Sequence, residues 1–449
     1  MLERRSPILA SLMALVLLGS SQLTRADDLY QLYRNALAHD MKYAAALEQQ
    51  RASNEKEPQG RALLLPNLSL EGGAAWVDRE DSGATTRNRD NSNAYALVLI
   101  QPLLRWQNVI GHEQSKALVL AGEISLQVAR QDLMLRVAAA YFDLLLGEDL
   151  LATSRQQVRT LQEQRSKAER FYQAGSGTES EVQRIQARYD LAYARQMAAH
   201  NAVQLHQQTL AQLTGSTPAS LARLAPQVRF EGPQPSLIDT WAEQAQQHNL
   251  KVQAAQIKRL VAEKEIDRQQ AGHLPTLDLV AAHGRFASVG GSLYDVTLPE
   301  EKYTQTVVGV QLSLPLYAGG GTTSRTREAR ALHAVALDEV EDARREADLL
   351  ARQAYLTLTN GISQYTALQQ ALRSSQSNLS STTRAFEAGA RISADVLDAE
   401  QQVTQTEQQL AEQRYSIVLA QLKLLAASGS LGDAGLQEIN ALLSAGTQG

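Results

Sequence analysis

Two carboxylates, Asp395 and Asp398, stand three residues apart in "AGARISADVLDAEQQ" at 388–402, a spacing that puts both on one face of a helix. Hard oxygens so paired attract Ca²⁺ or Mg²⁺ rather than softer metals, although this spacing alone makes no dedicated metal site. The plainer reading is of acids near a helix start, where the dipole favours negative charge. The same plan is written earlier, from position 174, as "AGSGTESEVQRIQAR": Ala-Gly, a short polar stretch, an acid followed by Val, then a Gln-rich helical segment. In that copy Thr178 and Glu181 spell a capping box. In the later one, Ile392 and Leu397 have the spacing of a hydrophobic staple around Ser393 as the N-cap.

Other chemistry is missing where its motifs begin. "GHEQSK" at 111 has Lys116 where a second zinc-binding His would stand, and "AGGGTTS" at 318 lacks the P-loop Lys. The 8 histidines are scattered, so neither catalysis nor a cofactor is expected. The formal charge of −5 disfavours a nucleic-acid partner. With no Cys, disulfides and lipidation at an N-terminal Cys are excluded.

The two copies belong to a larger repetition. "HDMKYAAA" at 39 returns as "HNLKVQAA" at 248, "LPNLSL" at 65 as "LPTLDL" at 274, "AYFDLLLG" at 140 as "AYLTLTNG" at 354, and "LTG" at 213 as "ASG" at 427. The offset drifts only from 209 to 214, so one unit of about 210 residues is duplicated. Before it, residues 1–26 read as a signal peptide: Arg4 and Arg5, an apolar run from Ile8 to Leu18, then Thr24 and Ala26 at a cleavage site. No later run approaches the roughly 18 apolar residues that a membrane helix needs.

Each unit reads as helix, strand, strand, helix, helix. The first repeat covers 27–215 and the second 237–428, with a Pro-rich linker at 216–236 and a tail at 429–449. Residues 29–62 and 237–271 have few breakers, which predicts one helix in each. Strands are expected at 66–77, 93–102, 275–287 and 304–315; in "TQTVVGVQLSLP" Val308, Val310, Leu312 and Leu314 alternate with polar residues. Each strand has the length that crosses a bilayer when tilted. Trp76, Tyr95, Trp106, Phe286, Tyr303 and Tyr317 fall near strand ends, as an aromatic girdle does, and polar loops are expected at 78–92 and 288–303, facing the exterior.

Beyond the strands, 105–173 and 322–388 carry no proline, which predicts helices approaching about 100 Å. Helices then return over 178–213 and 393–428. Val396, Val403, Leu410, Ile417 and Leu424 recur every seventh residue, as in a coiled coil, and Val182, Tyr189, Val203 and Leu210 match them with Gln196 interrupting. Gly147 and Gly361 match across the repeats and read as close packing positions rather than hinges. The fold class expected is mainly α with membrane β. Four strands cannot close a barrel, so oligomerisation is needed before the sheet enters lipid.

Signal peptide, duplicated unit, "LPNLSL" and "LPTLDL" entries, "LPLYAGGG" at 314 and above all "AGARISADVLDAEQQ" together resemble the TolC family of outer-membrane factors, over nearly all of the mature chain. The resemblance implies a homotrimer with a twelve-stranded barrel in the lipid of the Gram-negative outer membrane and a helical coiled-coil barrel in the periplasm. It implies an exit duct for type I protein secretion, docked to a periplasmic adaptor (membrane fusion protein) and an inner-membrane ABC or RND-type transporter. The alternative is the outer-membrane component of a tripartite efflux pump; less favoured are a periplasmic adaptor and a soluble coiled-coil scaffold, which do not need four membrane-length strands.

Matched onto the family motif, Asp395 and Asp398 are the acidic ring that constricts the pore, where cations could block it. Arg391, Ser180 and Glu181 match the links that hold the hairpins shut, and Phe386 stands where the motif can carry a Tyr. Ala174, Gly175, Ala388 and Gly389 mark the hairpin tips that meet the adaptor. For Glu181 capping stands beside gating, and for Arg391 a solvated C-terminal charge stands beside a gate link.

Overall fold

The computed structural model describes residues 26–80, 87–225, 228–293 and 296–444. The expected signal peptide falls outside these residues except at Ala26. Two compact units emerge, one of 1–45, 128–249 and 345–449, the other of 46–127 and 250–344.

Chain order begins with three helices, α1 (Leu29–His39), α2 (Met41–Asn54) and α3 (Lys56–Ala62), where the sequence predicts one. The first break is chemical. Asp40 leaves helical geometry at ψ 117°, and its Oδ1 accepts the Tyr43 amide at 2.7 Å, capping the next helix. The second repeat breaks at the matching residue, Asn249, with ψ 133°, between α6 (Ile238–His248) and α7 (Leu250–Gln270). A short-side-chain polar residue at this place stops one helix in both copies.

The long helices follow the sequence reading: α4 (Trp106–Gln173) with α5 (Glu179–Thr214), and α8 (Gly321–Glu387) with α9 (Ser393–Ala427). After α9 come α10 (Asp433–Ala441) and β6 (Leu443–Ser444), and β6 pairs antiparallel with β3 (Arg223–Leu224) of the linker.

The core of the first unit is built where α1 meets the middle of α4. Leu29, Leu32 and Tyr33 are fully enclosed with Val137, Tyr141, Leu144 and Leu145, and Leu422, Leu436 and Ile439 join them. Tyr141 donates its hydroxyl to the Ala222 carbonyl at 2.6 Å, and burial pushes its phenol above the ordinary range. Arg136 grips both Asp40 oxygens at 2.7 and 3.0 Å. A Cβ at Gly147 would stand 3.3 Å from Val203, and one at Gly361 2.7 Å from the Gln413 amide, so each glycine lets a neighbouring helix approach.

The second unit carries one antiparallel sheet in the order β1-β2-β4-β5: β1 (Asn67–Glu80), β2 (Arg87–Leu104), β4 (Thr276–Leu293) and β5 (Val296–Ser313). The strands run beyond the expected ends because the ladders continue. Glu80 still pairs with Arg87 and Leu293 with Val296, so most of the segments expected as loops at 78–92 and 288–303 are strand; 81–86 and 294–295 lie outside the described residues.

Register places Leu68 and Leu70 beside Leu99 and Leu97, Leu99 beside Ala281, and Leu277, Leu279 and Ala281 beside Leu312, Val310 and Val308. Directly opposed residues share a face, so one apolar surface crosses all four strands. Among the described residues no strand pairs with the outer side of β5, and on the apolar face Val308 is 70% exposed. Arg105, just past β2, makes a bidentate ion pair with the buried Asp278 of β4 at 2.7 and 2.6 Å.

Candidate functional site: the two hairpin tips

Both tips close the same way. Helix α4 ends at Gln173; Gly175, at φ +74°, sends its amide to the Tyr172 carbonyl, and the Ser176 amide reaches back to Phe171 at 2.9 Å. Helix α8 ends at Glu387; Gly389, at φ +76°, sends its amide to Phe386, and the Ala390 amide reaches Ala385 at 2.8 Å. These are two Schellman motifs, in which the left-handed residue is most easily glycine. The repeated Ala-Gly, with Ala174 and Ala388 as the preceding residues, is thus a helix stop written twice.

The restarts differ. Thr178 caps α5 through Oγ1, which accepts the Glu181 amide at 3.3 Å. In the second copy, helical geometry begins at Ser393 itself and Ile392 occupies the cap position with no side-chain bond, so Ser393 is not the N-cap expected. The Ile392 carbonyl takes the Asp395 amide at 3.1 Å, which supplies the turn that a side chain supplies in the other copy. Ile392 stays 63% exposed while Leu397 is buried, so no staple encloses the pair.

The charges sort into neighbouring pairs. Arg391 lies 3.5 Å from Asp395, one turn along α9, and Asp398 accepts from Arg188 of α5 at 2.6 Å. Asp398 keeps most of its side-chain surface open to solvent. Two residues on, Gln164 of α4 gives its amide to both oxygens of Glu400, at 2.8 and 2.7 Å. Burial pushes Glu400 above the ordinary carboxylate range, against the Gln164 hydrogen bond and the positive charges of Arg188 and Lys167. Glu407 is also pushed up, by burial alone. Both glutamates border a cleft of about 290 Å³ with Thr160, Leu161, Arg188 and Leu397.

Ser180 is exposed, Glu181 half-buried and Phe386 exposed with its ring carrying no hydroxyl. The structure brings Arg391 to Asp395 and leaves Ser180 and Glu181 on the other hairpin. Repeat matching did not reveal Arg188 and Gln164, because each meets an acid that its own copy lacks: Asp398 matches Arg184 and Glu400 matches Gln186. Coiled-coil spacing carried the signal, since both acids lie between the seventh-residue positions Val396 and Val403. Among the described residues no group of three or more His, Asp and Glu side chains suits a metal ion, and no helix is long and apolar enough to cross a membrane.

Comparison with known proteins agrees with this architecture. The family model described as outer membrane efflux protein matches residues 32–216 and 241–430. The chain is 29% identical over 451 residues to the outer membrane protein TolC of Escherichia coli strain K12, covering 97% of this chain and 89% of that protein. It is 28% identical to the alkaline protease secretion protein AprF of Pseudomonas aeruginosa, covering 95% and 90% respectively. The crystal structure of VceC from Vibrio cholerae shares the fold at a TM-score of 0.75 and 19% identity, over 89% of this chain and 96% of that one. The chain therefore belongs to the outer membrane efflux protein family, as a TolC-type factor of the outer membrane with a large periplasmic part.

Proposed function

We propose that the protein is a homotrimeric exit duct for type I protein secretion, a conduit with no catalytic step of its own. One observation carries the reading: a single chain presents a continuous apolar sheet face whose outer strands, β1 and β5, have no further partner among the described residues. In lipid those edges need pairing, and three copies close twelve strands. A relative named for alkaline protease secretion supports the secretion reading over the tripartite efflux reading. The partners are a periplasmic adaptor and an inner-membrane ABC or RND-type transporter.

In this reading Asp395 and Asp398 of three subunits ring the periplasmic entrance. Arg391, Ser180, Glu181 and Phe386 belong to the gate, and the tips at Ala174–Gly175 and Ala388–Gly389 meet the adaptor. The test is mass measurement in detergent followed by planar-bilayer recording. A trimer with a low resting conductance supports the duct, and a stable folded monomer defeats it. Deleting the chain from its host and assaying both secreted protein and drug tolerance separates the two transport readings.

A further inference from the structure

The duplication preserves something on the flanks of the hairpins that neither the turns nor the coiled-coil seam requires. Arg159 and Arg170 of α4 recur as Arg373 and Arg384 of α8, each at an offset of 214, and all four are exposed. Eleven residues make three helical turns with about 20° left over, so the members of each pair share one face about 16 Å apart. The residues between them have diverged: Glu163 and Lys167, whose charges cancel, match Ser377 and Ser381. The upper arginine is held alike in both copies. Arg159 donates to Gln156 at 2.5 Å and Arg373 donates to Gln370 at 2.7 Å, the Gln being the residue three before in each case. A neutral Gln orients the guanidinium and leaves its charge unspent. None of the four arginines makes an ion pair among the described residues.

We infer that these two arginine ridges are equivalent docking faces for a separate helical protein bearing carboxylates three turns apart, presented twice by each chain. This rests on the duct reading above and names the chemistry by which its periplasmic partner is recognised. Exposed arginines at a fixed separation, the upper one of each pair held by its Gln, fit paired carboxylates on an approaching helix, and rim charges of this kind steer encounter. A second copy of this chain is a poorer occupant. Of the carboxylates on α5 and α9 only Glu181 and Asp395 recur, and Asp395 already faces Arg391, so a copy cannot offer the same acids to both ridges.

The probe is a synthetic helical-hairpin peptide with glutamates eleven residues apart, beside its glutamine counterpart, titrated against the full chain in detergent. Wild type is expected to bind two glutamate peptides per chain, and affinity to fall about tenfold between about 50 and 300 mM salt. Arg159→Gln with Arg170→Gln, and Arg373→Gln with Arg384→Gln, should each halve the stoichiometry; the quadruple variant should bind none. Arg325→Gln with Arg330→Gln, exposed cations elsewhere, should change nothing. The inference is overturned if wild type does not bind, if the glutamine peptide binds equally, or if the control pair weakens binding as much. A quadruple variant that loses its oligomeric mass also overturns it, by assigning the ridges to copy–copy contact. Wild-type bilayer conductance tests the duct separately, so a conducting protein with no peptide binding defeats the ridges and leaves the duct standing.

Discussion

Asp398 of one hairpin and Arg188 of the other form an ion pair of 2.6 Å, so a carboxylate assigned to the pore entrance already has a cation beside it. Asp395 has Arg391 at 3.5 Å. Each acid thus carries a partner of its own, and in the proposed trimer the field at the entrance would depend on how far those partners screen it.

The first prediction follows from that pairing. Arg188→Gln should strengthen block of conductance by multivalent cations, because it frees Asp398 without removing it. Asp395→Ala with Asp398→Ala should weaken the block. Bilayer recordings with added Ca²⁺ compare them; equal sensitivity in all variants would take these acids out of the entrance.

A second prediction concerns the turn. A Cβ at Gly389 meets nothing within 4 Å, so Gly389→Ala tests the backbone alone. At φ +76° it should cost about 1 kcal/mol. Gly389→Asn should cost less, since Asn tolerates this region better. Thermal melts of the three proteins rank them, and an unchanged Gly389→Ala would contradict the Schellman geometry.

Asp40 links the start of the chain to α4, and its loss should be felt near neutrality and not in strong acid. Hydrogen bonds from Arg136 hold its carboxyl below the ordinary range, with burial opposing and the Tyr43 amide assisting. Because the folded value is lowered, the stability it contributes is present above the ordinary carboxylate range and is lost as pH falls through the folded value. Asp40→Asn should cost about 2 kcal/mol near neutrality, less than a fully buried pair because Arg136 keeps Asp132. The gap from wild type should close in strong acid. Denaturant melts across pH measure it.

How much of this was legible in the residues can be argued from particular places. The duplication announced the tips because left-handed backbone needs glycine, and Gly175 and Gly389 show it in both copies. Alternation in β5 announced the sheet, since period two survives wherever one face is dry. The breaks at Asp40 and Asn249 were hidden because a single polar residue inside an Ala- and Leu-rich run looks like a tolerated helix position. The ladders past Asp78 were hidden because charged and small residues read as loop when hydrogen bonding across the pair is invisible. Arg188–Asp398 and Gln164–Glu400 were hidden for a different reason: they pair residues more than 200 positions apart that the repeat does not match.

Glu407 supplies the last prediction, with the opposite sign from Asp40. Burial alone pushes its carboxyl up, and among the described residues no basic partner offsets the loss of water. A raised folded value means that its favourable contribution is complete below the ordinary carboxylate range and disappears as pH rises through the folded value. The hairpins therefore carry an unfavourable charge at neutral pH. Glu407→Gln keeps the size and removes the ionisation, so it should raise the melting temperature at pH 7 by about one degree or less, corresponding to about 1 kcal/mol or less for a chain of this length. Below the ordinary carboxylate range the variant and wild type should melt together, because the glutamate is then neutral in both the folded and the unfolded chain. Glu400→Gln should gain less, since Gln164, Arg188 and Lys167 already favour its charged form. A Glu407→Gln protein that melts lower than wild type at pH 7 would show that the carboxylate finds a cation in the assembled protein, placing a neighbouring subunit's basic side chain at the cleft.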